Sequence, residues 1–143
     1  MVETRAPARP SGLTVVAAAV VEHGRLLVVS KQAAPDLFYL PGGKPEPGEA
    51  PLETLTRELE EELGAAPVAP RLLTRFEGTA ALERVPMQLS VYAARLDAPP
   101  VPAAELAHMR WTIGEAEGPR LSPALTQHVL PVLRAQGVLA AVA

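Results

Sequence analysis

The sequence predicts an α/β (α+β) fold, in which a mixed sheet lies between one helix in the middle of the chain and a second helix near its end. Short apolar runs separated by glycine and proline recur along the chain, which is typical of strands joined by turns. Helical spacing with clear start and stop signals occurs in two stretches, residues 51–63 and 122–135. These two helices are expected to pack on the sheet.

The composition indicates a single domain, residues 13–143, behind a flexible N-terminal segment, residues 1–12. The chain has 143 residues, 48% of them hydrophobic, with only two Phe, two Tyr and one Trp, so its core is expected to be aliphatic. The absence of cysteine excludes a disulfide framework, a thiol nucleophile and a cysteine-based zinc site. The three histidines, His23, His108 and His128, are scattered along the chain and are expected at the surface.

Charge and hydropathy restrict the partners. The net charge is −3 and there is no cluster of Lys and Arg, which argues against a nucleic acid polymer. No apolar run follows the charges of the N-terminus, so a signal peptide is not predicted and the cytoplasm is the expected location. The apolar run 13–21 is about half the length that a membrane span needs, so no membrane association is expected.

The first half of the chain is predicted to supply three strands. Residues 13–21 fit a strand that is buried on both faces, because nearly all are apolar or small. A tight turn at His23-Gly24 leads into a second strand, residues 26–30, and makes a hairpin. Residues 31–36 are interpreted as a loop. Residues 37–40 are interpreted as a short strand that leads to the turn Pro41-Gly42-Gly43.

The second half is predicted to supply three more strands and the closing helix. A connector broken by prolines, residues 65–70, precedes a strand at 72–76 and a turn or loop at 78–84. Apolar and polar residues alternate over 87–96, which indicates a half-buried strand. After the loop 97–103, the stretch 105–113 contains Trp111 and is expected to close the sheet. Ser122-Pro123 then opens a helix that runs to about Ala135 and is ended by Gly137.

The helix at 51–63 has an apolar stripe and defined ends. Pro51 suits a first helical position, and Gly64 suits the left-handed residue after the end. Four leucines at spacings of three and four residues predict the face that packs on the core, and these are Leu52, Leu55, Leu59 and Leu63.

The same helix carries an unusual density of carboxylates. Its glutamates are Glu53, Glu58, Glu60, Glu61 and Glu62, and Arg57 is the only base among them. At about 100° per residue, Glu58, Glu61 and Glu62 are neighbours and repel one another. A hard divalent cation prefers several oxygen ligands on a rigid element, so this face is a candidate metal site. The alternative is a solvated acidic face.

The stretch from Gly42 to Gly64 resembles the signature box of the Nudix hydrolases. Gly43 is followed after five residues by Glu49, and after seven more by Arg57-Glu58-Leu59-Glu60-Glu61-Glu62-Leu63-Gly64-Ala65. All the fixed positions match, and only Ala65 is smaller than the family prefers. The resemblance implies an α/β/α sandwich with a mixed, curved sheet between the box helix and a C-terminal helix. It also implies hydrolysis of a nucleoside diphosphate derivative with Mg²⁺ or Mn²⁺, and a metal bridge would let an acidic protein bind an anionic substrate.

The resemblance also assigns roles to residues. Glu58, Glu61 and Glu62 are expected to be metal ligands, together with the carbonyl of Gly42. Arg57 is expected to orient the carboxylates by pairing with Glu49 or Glu61. The catalytic group is expected to comprise Arg57, Glu58, Glu61 and Glu105. The general base stays open between Glu58 in the box and Glu105 in a later loop, with Glu77 and Glu83 as weaker alternatives.

Residues outside the box bear on the substrate, which is expected to be a small nucleotide. Lys44 is expected either to contact a phosphate or to be solvated. Phe38 or Tyr39 would stack on a base, although strand aromatics are more often core residues. The proline that marks ADP-ribose hydrolases after the box is replaced by Ala80 and Ala81.

The approach Phe38-Tyr39-Leu40-Pro41-Gly42-Gly43 and the small size favour a nucleoside triphosphate pyrophosphohydrolase, including those that act on oxidised nucleotides. An ADP-ribose or other NDP-X hydrolase is the first alternative. A non-catalytic nucleotide sensor is the second, and the complete set of box glutamates argues against it. Because family members are often dimers, a homodimer stays open.

Overall fold

The computed structural model describes residues 12–79 and 84–141. Eight strands are present, β1 Leu13–Ala19, β2 Val21–Glu22, β3 Arg25–Lys31, β4 Ala34–Tyr39, β5 Gly42–Gly43, β6 Pro67–Thr79, β7 Pro86–Leu96 and β8 Leu106–Thr112. The helix α1 spans Pro51–Leu63, and a π-helical segment, Leu125–Val129, continues into α2, Leu130–Ala135. The predicted N-terminal segment, apart from residue 12, lies outside the described residues, as do Ala80, Ala81 and Glu83.

The strands form two four-stranded sheets that share the long strand running from β1 into β2. The first has the order β5-β1-β7-β6, with β1 and β7 parallel and the other pairs antiparallel, so it is mixed as predicted. In the second, β3 pairs antiparallel with β2, β4 and β8. Backbone hydrogen bonds from Ala18 to Pro41 and from Leu27 to Val20 join the two sheets.

The apolar run at the start of the chain is buried on both faces, which confirms the predicted sandwich. Because side chains alternate along a strand, successive residues belong to opposite clusters. Val16, Ala18 and Val20 pack with the buried leucines of α1. Ala17 and Ala19 pack with the buried residues of the C-terminal helix. Each helix thus has its own core on one side of the sheets, and α1 is held at a fixed place beside β1 and β3.

The ends of α1 follow the predicted signals, but its apolar stripe is shorter than predicted. Pro51 begins the helix, the Glu53 carboxylate accepts a hydrogen bond from the Ala50 N–H at 2.8 Å, and Gly64 has φ 67° after the last turn. Leu55, Leu59 and Leu63 are fully buried. The prediction for Leu52 is wrong, since 44% of this residue is exposed. In the same turn of α1, Thr54 is buried instead of Leu52, because the Thr54 hydroxyl donates a hydrogen bond to Glu49 in the preceding loop.

Two predicted loops are strand in the structure. The prediction of a connector at 65–70 is wrong from residue 67 onward, because β6 begins at Pro67, which pairs with Leu96 of β7. The strand tolerates Pro67 and Pro70 because β6 is at the sheet edge and its pairing is interrupted by a bulge there. The loop 31–36 is also too long, because Lys31 pairs with Ala34 around a two-residue turn. Of the predicted turn 78–84, Gly78 and Thr79 belong to β6.

The remaining elements agree with the sequence. The hairpin at His23-Gly24 forms between β2 and β3, the alternating stretch is β7, and Trp111 lies on β8. The closing helix contains a π-helical segment, in which the Leu130 N–H bonds to the Leu125 carbonyl. Pro131 accounts for this widening, because it has no N–H for a regular helical bond.

Two surface expectations also have an outcome. Of the three histidines, His23 and His108 are exposed and His128 is half-buried, with its ring 3.7 Å from that of Phe76. Over residues 12–79 and 84–141, no helix has the length and apolar character to cross a lipid bilayer.

Two leucines of α1, one buried and one exposed, provide a matched test of this core. We expect Leu59→Ala to lower the free energy of unfolding by about 2–5 kcal/mol, because it leaves a cavity beneath α1. Leu52→Ala is expected to change it by less than about 0.5 kcal/mol, because Leu52 is largely solvated. Urea unfolding of the two variants and the parent measures both, and similar losses would contradict the two-cluster packing.

Candidate active site

Two consecutive glycines bring the backbone of β5 against the carboxylates of α1. A Cβ on Gly42, which has φ 150°, would lie 2.2 Å from the Val16 carbonyl oxygen. A Cβ on Gly43 would lie 2.2 Å from the carboxyl carbon of Glu58. Any side chain at either position would therefore separate β5 from β1 or displace Glu58. The two glycines thus allow a close approach of the β5 backbone to the Glu58 carboxylate.

Glu62 is the most buried carboxylate of this site. Only 2% of the residue is exposed, and its Oε1 accepts a hydrogen bond from the Gly42 N–H at 3.1 Å. Burial raises the pKa of the Glu62 carboxyl to about 8, and the nearby charges of Glu58 and Glu105 act in the same direction. Lys31 and the Gly42 N–H act against this rise. Several acidic groups and one lysine therefore share the electrostatic environment of Glu62.

Arg57 connects the loop before α1 to the carboxylates of the helix. Its Nε and Nη2 donate to the two oxygens of Glu49 at 2.7 and 2.9 Å, a bidentate pair. Its Nη1 donates to Glu58 at 2.9 Å and to Glu61 at 3.4 Å, and its Nη2 also donates to the Lys44 carbonyl at 3.0 Å. Arg57 thus holds both the box loop and two of the predicted ligands in place.

The guanidinium changes the protonation of its partners. The hydrogen bond from Arg57 is the main cause that lowers the pKa of Glu49 to about 2, with the Glu46 N–H as the next. The same pair raises the pKa of Arg57 above its usual range. Burial raises the pKa of Glu58, although Arg57 opposes the rise. Glu49 and Arg57 are therefore a charged pair over the whole neutral range.

The donor set has the chemistry of a site for a hard divalent cation. Glu58, Glu61 and Glu62 offer carboxylate oxygens within two turns of one helix, and the two glycines leave space beside them. In the described part of the chain, however, no three histidine, cysteine or acidic side chains are already arranged to hold a metal. Glu62 is bonded to Gly42, Glu58 to Arg57, and the Glu61 side chain is 57% exposed. The residues fit such a cation in kind, and Glu58 and Glu61 would have to turn toward it.

A cleft of about 300 Å³ opens beside these carboxylates. Glu62, Gly42, Gly43, Lys44 and Lys31 line one part of it. Apolar side chains from the strands and from the C-terminal helix line the rest, and they include Leu13, Val15, Met87, Leu89, Leu125 and Val129. The cleft therefore joins a charged end to an apolar interior.

The structure places the predicted substrate residues differently. Tyr39 and Lys44 both line the cleft. Phe38 does not, because it is 5% exposed, belongs to the core beneath the C-terminal helix, and has its ring centroid 6.3 Å from that of His108.

Glu105 lies in the loop between β7 and β8, which packs beside the C-terminal end of α1. The N–H groups of Ala103 and Val101 donate to the carbonyls of Glu62 and Leu63 at 2.8 and 2.9 Å, so this loop is attached to the end of the box helix. Glu105 itself is exposed and, like Glu77, is not among the residues that line the cleft, but its charge acts on the Glu62 carboxyl group. Of the weaker alternatives, Glu77 on β6 accepts a hydrogen bond from Gln88 on β7 and is not among the residues that line the cleft. Glu83 lies outside the described residues.

Lys31 is the site residue that sequence reasoning missed. The sequence predicts a loop at Lys31, whereas this residue ends β3 and lines the cleft, and its Nζ lies 6.0 Å from the centre of the Tyr39 ring. The alternation Val29-Ser30-Lys31 was the available signal, because Val29 lines the cleft as well. A lysine at the end of an apolar strand does not by itself show whether its side chain faces a cleft.

Comparisons with known proteins agree with this geometry. The family model described as the NUDIX domain matches residues 10–117. The crystal structure of a MutT NUDIX hydrolase from Burkholderia pseudomallei is similar, with a TM-score of 0.69, 25% identity, and coverage of 88% of this chain and 98% of that one. The solution structure of the E. coli ORF135 protein has a TM-score of 0.68, 26% identity, and coverage of 88% and 89%.

A crystal structure of a UDP-X diphosphatase is also similar. Its TM-score is 0.73 and its sequence identity is 29%, with coverage of 91% of this chain and 66% of that one. No curated protein matches the sequence significantly.

Replacement of Gly43 tests the contact between β5 and Glu58. We expect Gly43→Ala to weaken Mn²⁺ binding about 10- to 100-fold, because the new Cβ displaces the Glu58 carboxyl group. Gly118→Ala is the matched control, since its Cβ would meet Glu115, another glutamate, outside the cleft. Isothermal titration of Mn²⁺ into the three proteins measures the effect, and equal affinities for Gly43→Ala and the parent would contradict it.

The Glu49–Arg57 pair predicts a pH dependence of stability. Because the folded-state pKa of Glu49 is lowered from 4.5 to about 2, the pair stabilises the fold above about pH 4.5, and this contribution is lost as the pH falls toward 2. Glu49→Gln should therefore lower the melting temperature most at pH 5 and above. The difference from the parent should shrink between pH 4.5 and pH 3, and a difference that grows there would refute the assignment.

Proposed function

The chain belongs to the Nudix hydrolase family, and from this premise we propose that it cleaves nucleoside triphosphates, normal or oxidised, to a nucleoside monophosphate and pyrophosphate. It is a pyrophosphohydrolase, an enzyme that acts on phosphoric anhydride bonds. The identity of the nucleotide is the part that we propose.

The observation that carries the proposal is the shape and lining of the cleft. Its charged end contains Glu62, Lys31 and Lys44 beside the two glycines, which suits a chain of phosphates. Its interior is mostly apolar and is bordered by Tyr39, which suits the flat, weakly polar faces of a nucleobase. A single molecule that carries a polyphosphate at one end and an aromatic ring at the other matches both parts.

We propose that Glu58, Glu61, Glu62 and the carbonyl of Gly42 hold Mg²⁺ or Mn²⁺. A divalent ion there would neutralise charge on the phosphate oxygens and lower the pKa of a bound water. Arg57 keeps Glu58 and Glu61 directed to the same side of α1 through its hydrogen bonds to both. Gly43 lets the Glu58 carboxylate lie against β5, because a Cβ at this position would clash with it.

The two lysines are proposed to bind the phosphates. Lys31 and Lys44 line the cleft at the same end as Glu62. Since the net charge of the chain is −3, local cations of this kind are needed to attract an anionic substrate. Lys31 lies over Tyr39 and thereby connects the phosphate end of the cleft with its aromatic border.

Glu105 is proposed as the general base. A water molecule attacks one phosphorus of the anhydride, the bridging P–O bond breaks, the leaving phosphate group takes the electron pair, and the proton of the water passes to a carboxylate. Glu58 is less suited to accept this proton because Arg57 donates to it at 2.9 Å. Glu105 is exposed, and its loop is bonded to the backbone of Glu62.

Hydrolysis of another NDP-X compound is the second candidate. The observation that favours it is the similarity to the UDP-X diphosphatase, whose name states that it acts on UDP-linked compounds. A substrate panel separates the two candidates directly.

The test is a release assay with Mg²⁺ over normal and oxidised nucleoside triphosphates, ADP-ribose, a diadenosine polyphosphate and a nucleotide sugar. We expect turnover of triphosphates with release of pyrophosphate. Glu62→Gln is expected to lower kcat at least about 100-fold, as is removal of the divalent ion with a chelator. Glu60→Gln is the matched control, because Glu60 lies on the exposed face of α1.

Two outcomes would contradict the proposal. Turnover of the nucleotide sugar alone would favour the second candidate. Tight nucleotide binding without turnover of any compound would favour a sensor.

A further inference from the structure

We propose that Gln32, in the turn between β3 and β4, is a positioning residue that holds Glu105 where it can accept the proton of the attacking water. The inference rests on the proposed function, because it assumes that Glu105 is the general base. It adds a residue that neither the box nor the lining of the cleft contains.

Glu105 lies in a tight turn that is attached to the box helix on one side. The Leu106 N–H donates to the Ala103 carbonyl at 3.0 Å, which closes a four-residue turn with Glu105 in the third place. The Ala103 N–H donates to the Glu62 carbonyl at 2.8 Å. The first residue of the turn is therefore fixed to α1, but this bond leaves the third residue free to move about it.

Gln32 attaches the other side of the turn. Its backbone N–H donates to the Glu105 carbonyl at 3.1 Å. Its side-chain amide donates to the Leu106 carbonyl at 3.2 Å and lies 3.5 Å from the Ala104 carbonyl. One glutamine thus binds three consecutive carbonyls, those of the residue before Glu105, of Glu105 itself, and of the residue after it.

The start of β8 explains why such a clamp is needed. Ser30 pairs with His108 and Lys31 pairs with Leu106, so β8 has one extra residue, Ala107, at this point. A bulge of this kind interrupts the regular ladder and changes the direction of the strand. Glu105 lies just outside this irregular pairing, and Gln32 supplies the hydrogen bonds that fix the orientation of its peptide.

The clamp also connects Glu105 to the cleft. Gln32 follows Lys31 directly, and Lys31 lines the charged end of the cleft. The turn that carries Gln32 is closed by the pairing of Lys31 with Ala34. One rigid hairpin end therefore sets the backbone of Glu105 relative to a residue that borders the phosphate end.

The consequence for catalysis follows from the exposure of Glu105. Its side chain is exposed, so its position depends on the backbone more than on packing. A general base must lie within hydrogen-bond reach of the proton that it removes, and small displacements reduce the rate strongly. Loss of the side-chain bonds of Gln32 should lower kcat and leave substrate binding unchanged.

A double-mutant cycle tests this inference. Gln32→Met removes the amide donors at similar size, and we expect it to lower kcat about tenfold with less than a twofold change in KM. The backbone bond to Glu105 remains, so the loss is partial. In the Glu105→Gln background the same substitution should have no further effect, because the group that it positions is no longer a base. Gln136→Ala, at the exposed end of the C-terminal helix, is the control.

The outcomes separate the inference from the proposed function. Equal fold-losses from Gln32→Met in both backgrounds, or a rise in KM without a fall in kcat, would show a merely structural role and overturn the inference. A parent-like kcat for Glu105→Gln would also overturn it, while Glu62→Gln still reports on the metal site. Absence of turnover in the parent would instead refute the proposed function.

Discussion

The structure depends on one electrostatic constraint, the repulsion among the glutamates that α1 brings to one face. A helix selected for stability alone would alternate charges along such a face. Here one guanidinium reduces the repulsion, since Arg57 donates hydrogen bonds to Glu49, Glu58 and Glu61 and also to the carbonyl of Lys44. The box loop and the box helix are therefore one electrostatic unit. This unit can be placed beside β1 only because Gly42 and Gly43 have no side chains to keep the backbone away.

The burial of Glu62 shows that the site is not optimised for stability. A carboxylate that is nearly inaccessible to water and bonded to a single N–H is unfavourable in its charged form, as its raised pKa indicates. Buried groups of this kind occur at functional sites, where stability is given up for chemistry. The leucines on the core side of α1 offset this loss, because they pack against β1 and β3.

The sequence predicted the parts of the molecule that depend on local signals. Proline, glycine and hydrophobic periodicity predict the ends of α1, the hairpin at His23-Gly24 and the closing helix. The predicted partners of Arg57, Glu49 and Glu61, both bond to it in the structure. What it did not predict depends on tertiary pairing. The prolines of β6 suggested a connector, but an edge strand has one side on which a missing N–H does no harm. Lys31 belongs to the site because β3 ends beside the cleft, and the alternation of Val29 and Lys31 indicates a shared face without showing that a cleft lies there.

The chain is acidic and its proposed substrate is anionic, but the positions of the charged side chains around the cleft make binding possible. Three of the sixteen acidic residues, Glu58, Glu61 and Glu62, lie close together on α1 and are the candidate metal ligands. The cations of the cleft, Lys31 and Lys44, lie at the same end as Glu62, so charges of both signs meet where the phosphates would bind. The rest of the cleft is uncharged and mostly apolar, so it contributes little to phosphate binding. Discrimination between phosphate and base ends of a nucleotide therefore follows from the arrangement of charge within the cleft, and the net charge of the protein has little influence on it.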